Sequence, residues 1–208
     1  GARDAVLPVS DLAVGGRGLP LAHWLVARGA KHLALAGRGE PPEGFASDLN
    51  AEVTIIRCDV GDRAEVERLV DALPGLTHVF HLAGALDDGA ILQQSWSRFA
   101  TVFRGKCDAA KHLDELTRDR ELKSFVLFSS SVSLIGYSGQ SNHAAANAAM
   151  DAIAESRSAL GLPALSINWG AWGDAGEVAA RNVRSVRGRI NSACSINRSY
   201  SVFVRPSA

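Results

Sequence analysis

Gly15, Gly16 and Gly18 in "LAVGGRGLPLAHWLVARGA" stand directly before a segment of helical character. Glycines at a strand-to-helix turn let the backbone close on a pyrophosphate, whose charge is met by the unpaired amides of the helix N-terminus. Pro20 suits the first turn of that helix, where its missing donor costs nothing. Neither Leu12 nor Ala13 is the further glycine of a full dinucleotide fingerprint, so a glycine-rich turn without a ligand stays open as the alternative. Arg38 ends the apolar run "HLALAGR", where an NAD enzyme would carry an acidic residue for the ribose hydroxyls. A planar guanidinium there can take a 2′-phosphate bidentately, so Arg38, assisted by Arg17, predicts NADPH over NADH; solvated loop charges are the plainer alternative. Asp59, with Val60 beside it in "RCDV", is placed to accept from an adenine amino group. Ala83 and Gly84, ending "HVFHLAG", would let a nicotinamide ribose lie against backbone.

A second stretch, "FVLFSSSVSLIGYSGQSNHAAANAAMD" at 125–151, gathers Ser129, Ser130, Ser131, Tyr137, His143 and Asn147 within nineteen residues. The histidine invites an explanation. Other histidines ask for less: His78 and His81 are three apart on a predicted strand and so face opposite sides, which argues against a shared metal. Cys58, Cys107 and Cys194 lack ligand spacing, and their odd number argues against a disulfide framework; no metal site is expected.

The elements that must position these groups are legible in the alternation of short apolar runs with segments of helical period. "HLALAG" (32–37), "EVTIIRCDV" (52–60), "HVFHLAG" (78–84), "SFVLFSS" (124–130) and "ALSINWG" (164–170) suit buried parallel strands. Between them lie "PLAHWLVARGA", "RAEVERLVDAL", "SRFATVFRGKCDAAKHLDELTRD" and "NHAAANAAMDAIAESRSALG". In the second, Val66, Leu69, Val70 and Leu73 form one helical face. This alternation predicts an α/β fold: a Rossmann-like, doubly wound parallel sheet with helices on both faces.

With 208 residues, 47% of them hydrophobic, the chain can bury a continuous core. Lysine plus arginine equals aspartate plus glutamate at 22 each, so no global field draws it to nucleic acid or an anionic membrane. No apolar stretch approaches the roughly 18 residues of a membrane span, and no leader pattern opens the chain; a cytoplasmic protein is expected. After about Ala180 the composition shifts to arginine and serine without sustained period, which divides the chain into 1–180 and a divergent, poorly ordered tail at 181–208. A nucleic-acid arm is the weaker alternative there, since stacking aromatics are not interleaved.

"HLAGALDDGAI", "FRGKCDAAKHLDELT" and "FVLFSSSVSLIGYSGQSNHAAANAAMDAIA…GLPALSINWGAWGDAGEVA" together closely resemble the ketoreductase domain of modular type I polyketide synthases. That family is a branch of the short-chain dehydrogenase/reductases. The resemblance runs from about Asp11 to Ala180. It implies hydride transfer from NADPH to a β-keto thioester carried by the phosphopantetheine of an acyl carrier protein, with neighbouring synthase domains as partners. By motif it places the family's lysine at Lys106, its serine at Ser130 and its asparagine at Asn147, with Ser129 and Ser131 as alternative serines. The lysine precedes the other members here, as in the polyketide branch. The family's tyrosine, the proton donor, falls at His143.

A tyrosine works there because positive neighbours lower its pKa toward neutrality; the same neighbours disfavour an imidazolium, so a neutral His143 is expected. An imidazole nitrogen also reaches about 2 Å less far than a phenol oxygen. A misplacement of about 1 Å can cost roughly a hundredfold, so impaired activity is expected. A neutral imidazole can still donate to a carbonyl, or a water could bridge. Tyr137 sits in the wrong loop to replace it and is expected to pack over the cofactor cleft. Leu86, Asp87 and Asp88 match the family's B-type mark, and Gln140 stands where A-type members carry tryptophan, which implies a D-configured alcohol. The end of the chain does not match the family's substrate lid, 39–50 is short, and a preceding cofactor-free half is not seen. These departures also suit a catalytically inactive, cofactor-holding or structural module. A stand-alone nucleotide sensor is a third reading.

Overall fold

A computed structural model describes residues 4–8, 18–41, 43–170 and 202–204, the first and last of these as backbone. Seven strands form one sheet in the order β3-β2-β1-β4-β5-β6-β7. They are β1 (Asp4–Pro8), β2 (His32–Gly37), β3 (Glu52–Arg57), β4 (Leu76–His81), β5 (Ser124–Ser130), β6 (Leu165–Trp169) and β7 (Val202–Val204). All neighbours pair in parallel except β6 with β7, which run antiparallel. The helices are α1 (Gly18–Ala27), α2 (Arg63–Asp71), α3 (Trp96–Phe103), α4 (Ala109–Leu116), α5 (Val132–Ile135) and α6 (Ser141–Ala159).

The strand residues show why helices must cover both faces. In β2, Leu33 and Leu35 pack into a cluster with Ala22 and Leu25 of α1. Ala34 and Ala36 join the opposite cluster with Val66 and Leu69 of α2, Leu113 of α4 and Met150 of α6. Successive strand side chains point to opposite faces, so both faces of this strand are core. The doubly wound α/β architecture expected from the alternation is the one found, and its order places a switch point beside β1 and β4.

Helix α2 starts where Asp62 accepts hydrogen bonds from the amides of Ala64 and Glu65 at 2.9 and 3.2 Å, a side-chain cap. It buries Val66, Leu69 and Val70, three of the four apolar positions read from the sequence. Arg157, fully buried in α6, donates to Asp114 Oδ1 of α4 at 2.8 Å and to the Thr117 carbonyl at 3.2 Å. A buried guanidinium with these partners locks α4 to α6.

Strand boundaries differ from the apolar runs. β3 stops at Arg57: the Cys58 amide still bonds the Gly37 carbonyl, but the Asp59 amide turns to Glu65 Oε2 at 2.7 Å instead of extending the ladder. β4 begins two residues earlier than the run at 78 and ends at His81. β1 and β7 were not singled out in the sequence; β1 is short and ends on a proline, yet lies inside the sheet between β2 and β4. Val202–Val204 belong to the 181–208 segment, whose other residues lie outside those described, as do Gly15, Gly16 and Arg17.

Candidate active site

Over the carboxyl ends of β2, β3 and β4 lies a cavity of about 250 Å³, whose walls include Arg38, Asp59, Val60, Ala83, Gly84 and Arg104. Five of these six were singled out from the sequence for a dinucleotide, and they come together here from three separate strand ends. Gly18, the one described member of the glycine turn, opens α1 and is buried. Asp59 Oδ1 accepts from the Gly61 amide at 2.9 Å, and Oδ2 from Arg104 Nη2 and Nε at 3.1 and 3.3 Å. Partial burial pushes this carboxyl up, but the amide and the guanidinium outweigh it and hold the group below its ordinary value.

Across Gly84 the cavity meets Lys106. A Cβ on Gly84 would stand 2.9 Å from Lys106 Cε, so a side chain here would force the lysine to shift. Lys106 lies in a single π turn, Arg104–Asp108, inserted between α3 and α4; such turns recur where a helix is adjusted for function. The side chain is buried and donates from Nζ to Asn147 Oδ1 at 3.0 Å and to the Phe128 carbonyl at 3.4 Å. The turn is held from below by His81, fully buried at the end of β4, whose Nε2 lies 3.2 Å from the Lys106 carbonyl. Burial, and secondarily the Lys106 charge, push this imidazole down to about 3, so it is neutral and Nε2 carries the proton that the carbonyl accepts. His78 instead bonds Thr77 Oγ1, on the other side of the strand as expected.

On α6, His143 and Asn147 stand one turn apart and share a face. Asn147 Nδ2 returns a 2.7 Å bond to the His143 carbonyl. The buried Asn142 accepts from the His143 amide at 2.8 Å through Oδ1 and donates from Nδ2 to the Asp87 carbonyl at 2.7 Å. Ser130, half-buried at the end of β5, accepts through Oγ from the Val132 amide at 3.3 Å. Ser129 is buried and points the other way, donating to the Asn147 carbonyl and accepting from Asn168 Nδ2 at 3.3 and 3.1 Å. Ser131 starts α5, its amide bonded to the Trp169 carbonyl. Of the three serines, Ser130 therefore combines exposure with position at the strand end.

The loop carrying Leu86, Asp87 and Asp88 is not a free solvated segment. Arg98 Nη1 donates to Asp87 Oδ1 and the Asp88 carbonyl at 2.8 and 2.7 Å, and Gln140 Nε2 donates to Asp88 Oδ2 at 3.1 Å. The 86–88 loop is thereby tied to α3 and to the start of α6. Tyr137 is 49% exposed in the loop before α6. Arg98, Arg104 and Asn142 are contributors that motif reading passed over, and His81 was weighed there only as a metal ligand. Asn142 was the most findable, being the immediate neighbour of position 143. Among the described residues there is no His/Cys/Asp/Glu cluster able to hold a metal ion, and no helix long and apolar enough to cross a membrane.

A parallel sheet of this order, with a polar cleft above its switch point and a buried lysine–asparagine pair at one end, defines a short-chain dehydrogenase/reductase architecture. Residues 13–174 match the family model described as the KR domain. The chain is 46% identical over 174 residues to polyketide synthase GfsA of Streptomyces halstedii, covering 79% of this chain and 2% of that protein. It is similar to a solved structure described as A-type ketoreductases from a modular polyketide synthase, with 39% identity and a TM-score of 0.81, covering 90% of this chain and 42% of that one. The first ketoreductase of the tylosin synthase is 43% identical with a TM-score of 0.75, covering 82% and 39% respectively. The chain thus belongs to the KR family, the ketoreductase domains of modular type I polyketide synthases. It spans a small share of the curated relatives it matches, 2% and 9% of the first two.

Proposed function

We propose that residues 1–180 form an NADPH-dependent β-ketoacyl thioester reductase unit, acting on a chain held by the phosphopantetheine of an acyl carrier protein among neighbouring synthase domains. The observation that carries this reading is the 3.0 Å bond from Lys106 Nζ to Asn147 Oδ1, with His143 one turn away on the same helix and Ser130 at the adjoining strand end. The cleft beside Gly84, where a side chain would collide with Lys106, fits a dinucleotide lying along backbone. Gly15, Gly16, Gly18, Arg17 and Arg38 would hold its phosphates, Asp59 and Val60 its adenine, and Ala83 and Gly84 the nicotinamide ribose. NADPH, when bound, supplies the hydride that reduces the keto carbon. Ser130 would donate a hydrogen bond to the carbonyl oxygen and polarise it, and His143 would pass its ring proton to that oxygen and take one back from water. Asn147 fixes the Lys106 ammonium beside this proton path. An imidazole at this place donates from a shorter reach than a phenol.

The Leu86-Asp87-Asp88 sequence, with Gln140 where A-type members carry tryptophan, supports a B-type, D-configured product. NADPH oxidation with a β-ketoacyl pantetheine thioester, followed by chiral chromatography of the alcohol, tests the reading. The D-alcohol is expected, and the L-alcohol would contradict the assignment of the loop. His143 also favours a second reading, an inactive module that still holds cofactor. Cofactor binding with no oxidation, even on prolonged incubation at high enzyme concentration, would select that reading.

A further inference from the structure

Arg104 was not among the residues that sequence motifs assign to the cofactor, yet it lines the same cleft as Arg38 and grips Asp59 through two nitrogens. The carboxylate it grips faces a difficulty. Asp59 must accept from an adenine amino group, yet it lines the same 250 Å³ cavity that would receive anionic phosphate. An uncompensated carboxylate repels such a ligand. Arg38 is a second cation whose field reaches this carboxylate. Without a nearer partner, Asp59 would draw on the charge meant for the 2′-phosphate.

We propose that Arg104 is the resident counter-ion of Asp59, which makes the adenine acceptor compatible with an anionic dinucleotide and leaves the field of Arg38 to the ligand. This rests on reading the cleft as an NADPH site. The local geometry is built for it. Asp59 Oδ1 is occupied by the Gly61 amide and Oδ2 by both Arg104 nitrogens, which fixes the carboxylate while Oδ1 keeps a lone pair for the base. A Cβ on residue 61 would collide with Arg104 Cγ and stand 2.9 Å from the Arg104 carbonyl, so Gly61 is the gap through which the arginine runs. Arg104 and Lys106 are two residues apart in one π turn, so their side chains leave it in different directions. One short turn therefore sends a cation toward each end of the cleft, Lys106 to the chemistry and Arg104 to the adenine.

An ordinary surface pair would look similar in part, since the Arg104 and Asp59 side chains are 53% and 28% exposed. Such pairs contribute little to stability. Removing the arginine should then leave the fold intact while changing binding, which separates the two interpretations. Calorimetric titration of the full chain with NADPH, and with 2′,5′-ADP as a probe lacking nicotinamide, reads this directly. Arg104→Met should weaken both ligands by roughly tenfold, the size of one charge-charge interaction about 10 Å apart at the edge of a cleft. Arg104→Lys should stay within about threefold of the parent, since it keeps the charge without the second nitrogen. The Arg104→Met/Asp59→Asn double variant should recover most of the loss, with melting temperature little changed throughout. Unchanged binding by Arg104→Met overturns the inference, and so does a loss that Asp59→Asn fails to relieve. If Arg104→Met fails to fold, a tenfold loss in Arg104→Lys likewise overturns it. A parent that binds neither ligand overturns the cofactor reading itself, and the inference with it.

Discussion

Above β2, β3 and β4 the polar groups stand toward solvent: Arg38 is exposed, and Arg104 reaches Asp59 across an open cleft. Between β5 and α6, Lys106, Ser129, Asn147 and Asn168 are all buried, and each is bonded to another element. In the cleft, charge is placed at the end of flexible side chains that a ligand can reorganise. In the pocket, position is enforced by the fold, because a buried polar group without its partner costs far more than an exposed one. Substitutions in the first region should therefore change affinity without stability, and in the second they should change both.

The largest expected effect tests the buried side through His81. Its folded value, about 3, lies below the ordinary 6.5, so between these pH values the unfolded chain binds the extra proton and the folded chain does not. Stability is then complete above about 6.5 and falls as pH drops toward 3, by up to about 5 kcal/mol. Urea unfolding across that range should show the decline, and His81→Gln, which keeps a donor but does not titrate, should flatten it. Next in size is Asn147→Leu, which deletes the acceptor of Lys106 Nζ and the donor to the His143 carbonyl. A loss of about 3 kcal/mol in unfolding free energy is expected. A loss below about 0.5 kcal/mol would mean the pocket is no more rigid than the cleft.

On the cleft side, Arg38→Ala should weaken NADPH by about tenfold or more, leave NADH unchanged and move stability by less than about 0.5 kcal/mol. Equal effects on both cofactors would remove the 2′-phosphate role. The smallest effect belongs to Asp59. Its folded carboxyl titrates below the unfolded one, so its contribution is present above the ordinary value of 3.8 and is lost as pH falls through the folded value. Asp59→Asn should remove only this shallow acid-side slope from the unfolding curves.

The two regions also differed in how far they could be read in advance. Arg38, Asp59, Val60, Ala83 and Gly84 were visible because each ends an apolar strand run, and parallel strands bring their carboxyl ends to one edge. The pocket was visible only as a motif. Nothing in the spacing of Lys106 and Asn147, 41 residues apart, announces a 3.0 Å bond. That bond depends on a π turn, on Gly84 leaving room, and on the packing of α4 against α6. Arg104 escaped notice, and His81 was weighed only as a metal ligand, for the same reason, since their partners are reached through the fold and not along the chain. Ser130 could not be separated from Ser129 until the strand pleat turned one toward Asn168 and the other toward the strand-end opening. The interior strand β1 was missed because five residues ending on a proline carry too little pattern.

The central claim is that an otherwise assembled reductase site has an imidazole where its proton donor belongs. The most direct test is the rate of NADPH oxidation with a β-ketoacyl pantetheine thioester, comparing the chain as it stands with His143→Tyr. Slow oxidation by the parent and a gain of about a hundredfold on substitution are predicted, the size expected for restoring reach at the reacting oxygen. A parent already as fast as the variant would contradict the claim, as would a variant that binds NADPH and still fails to oxidise it.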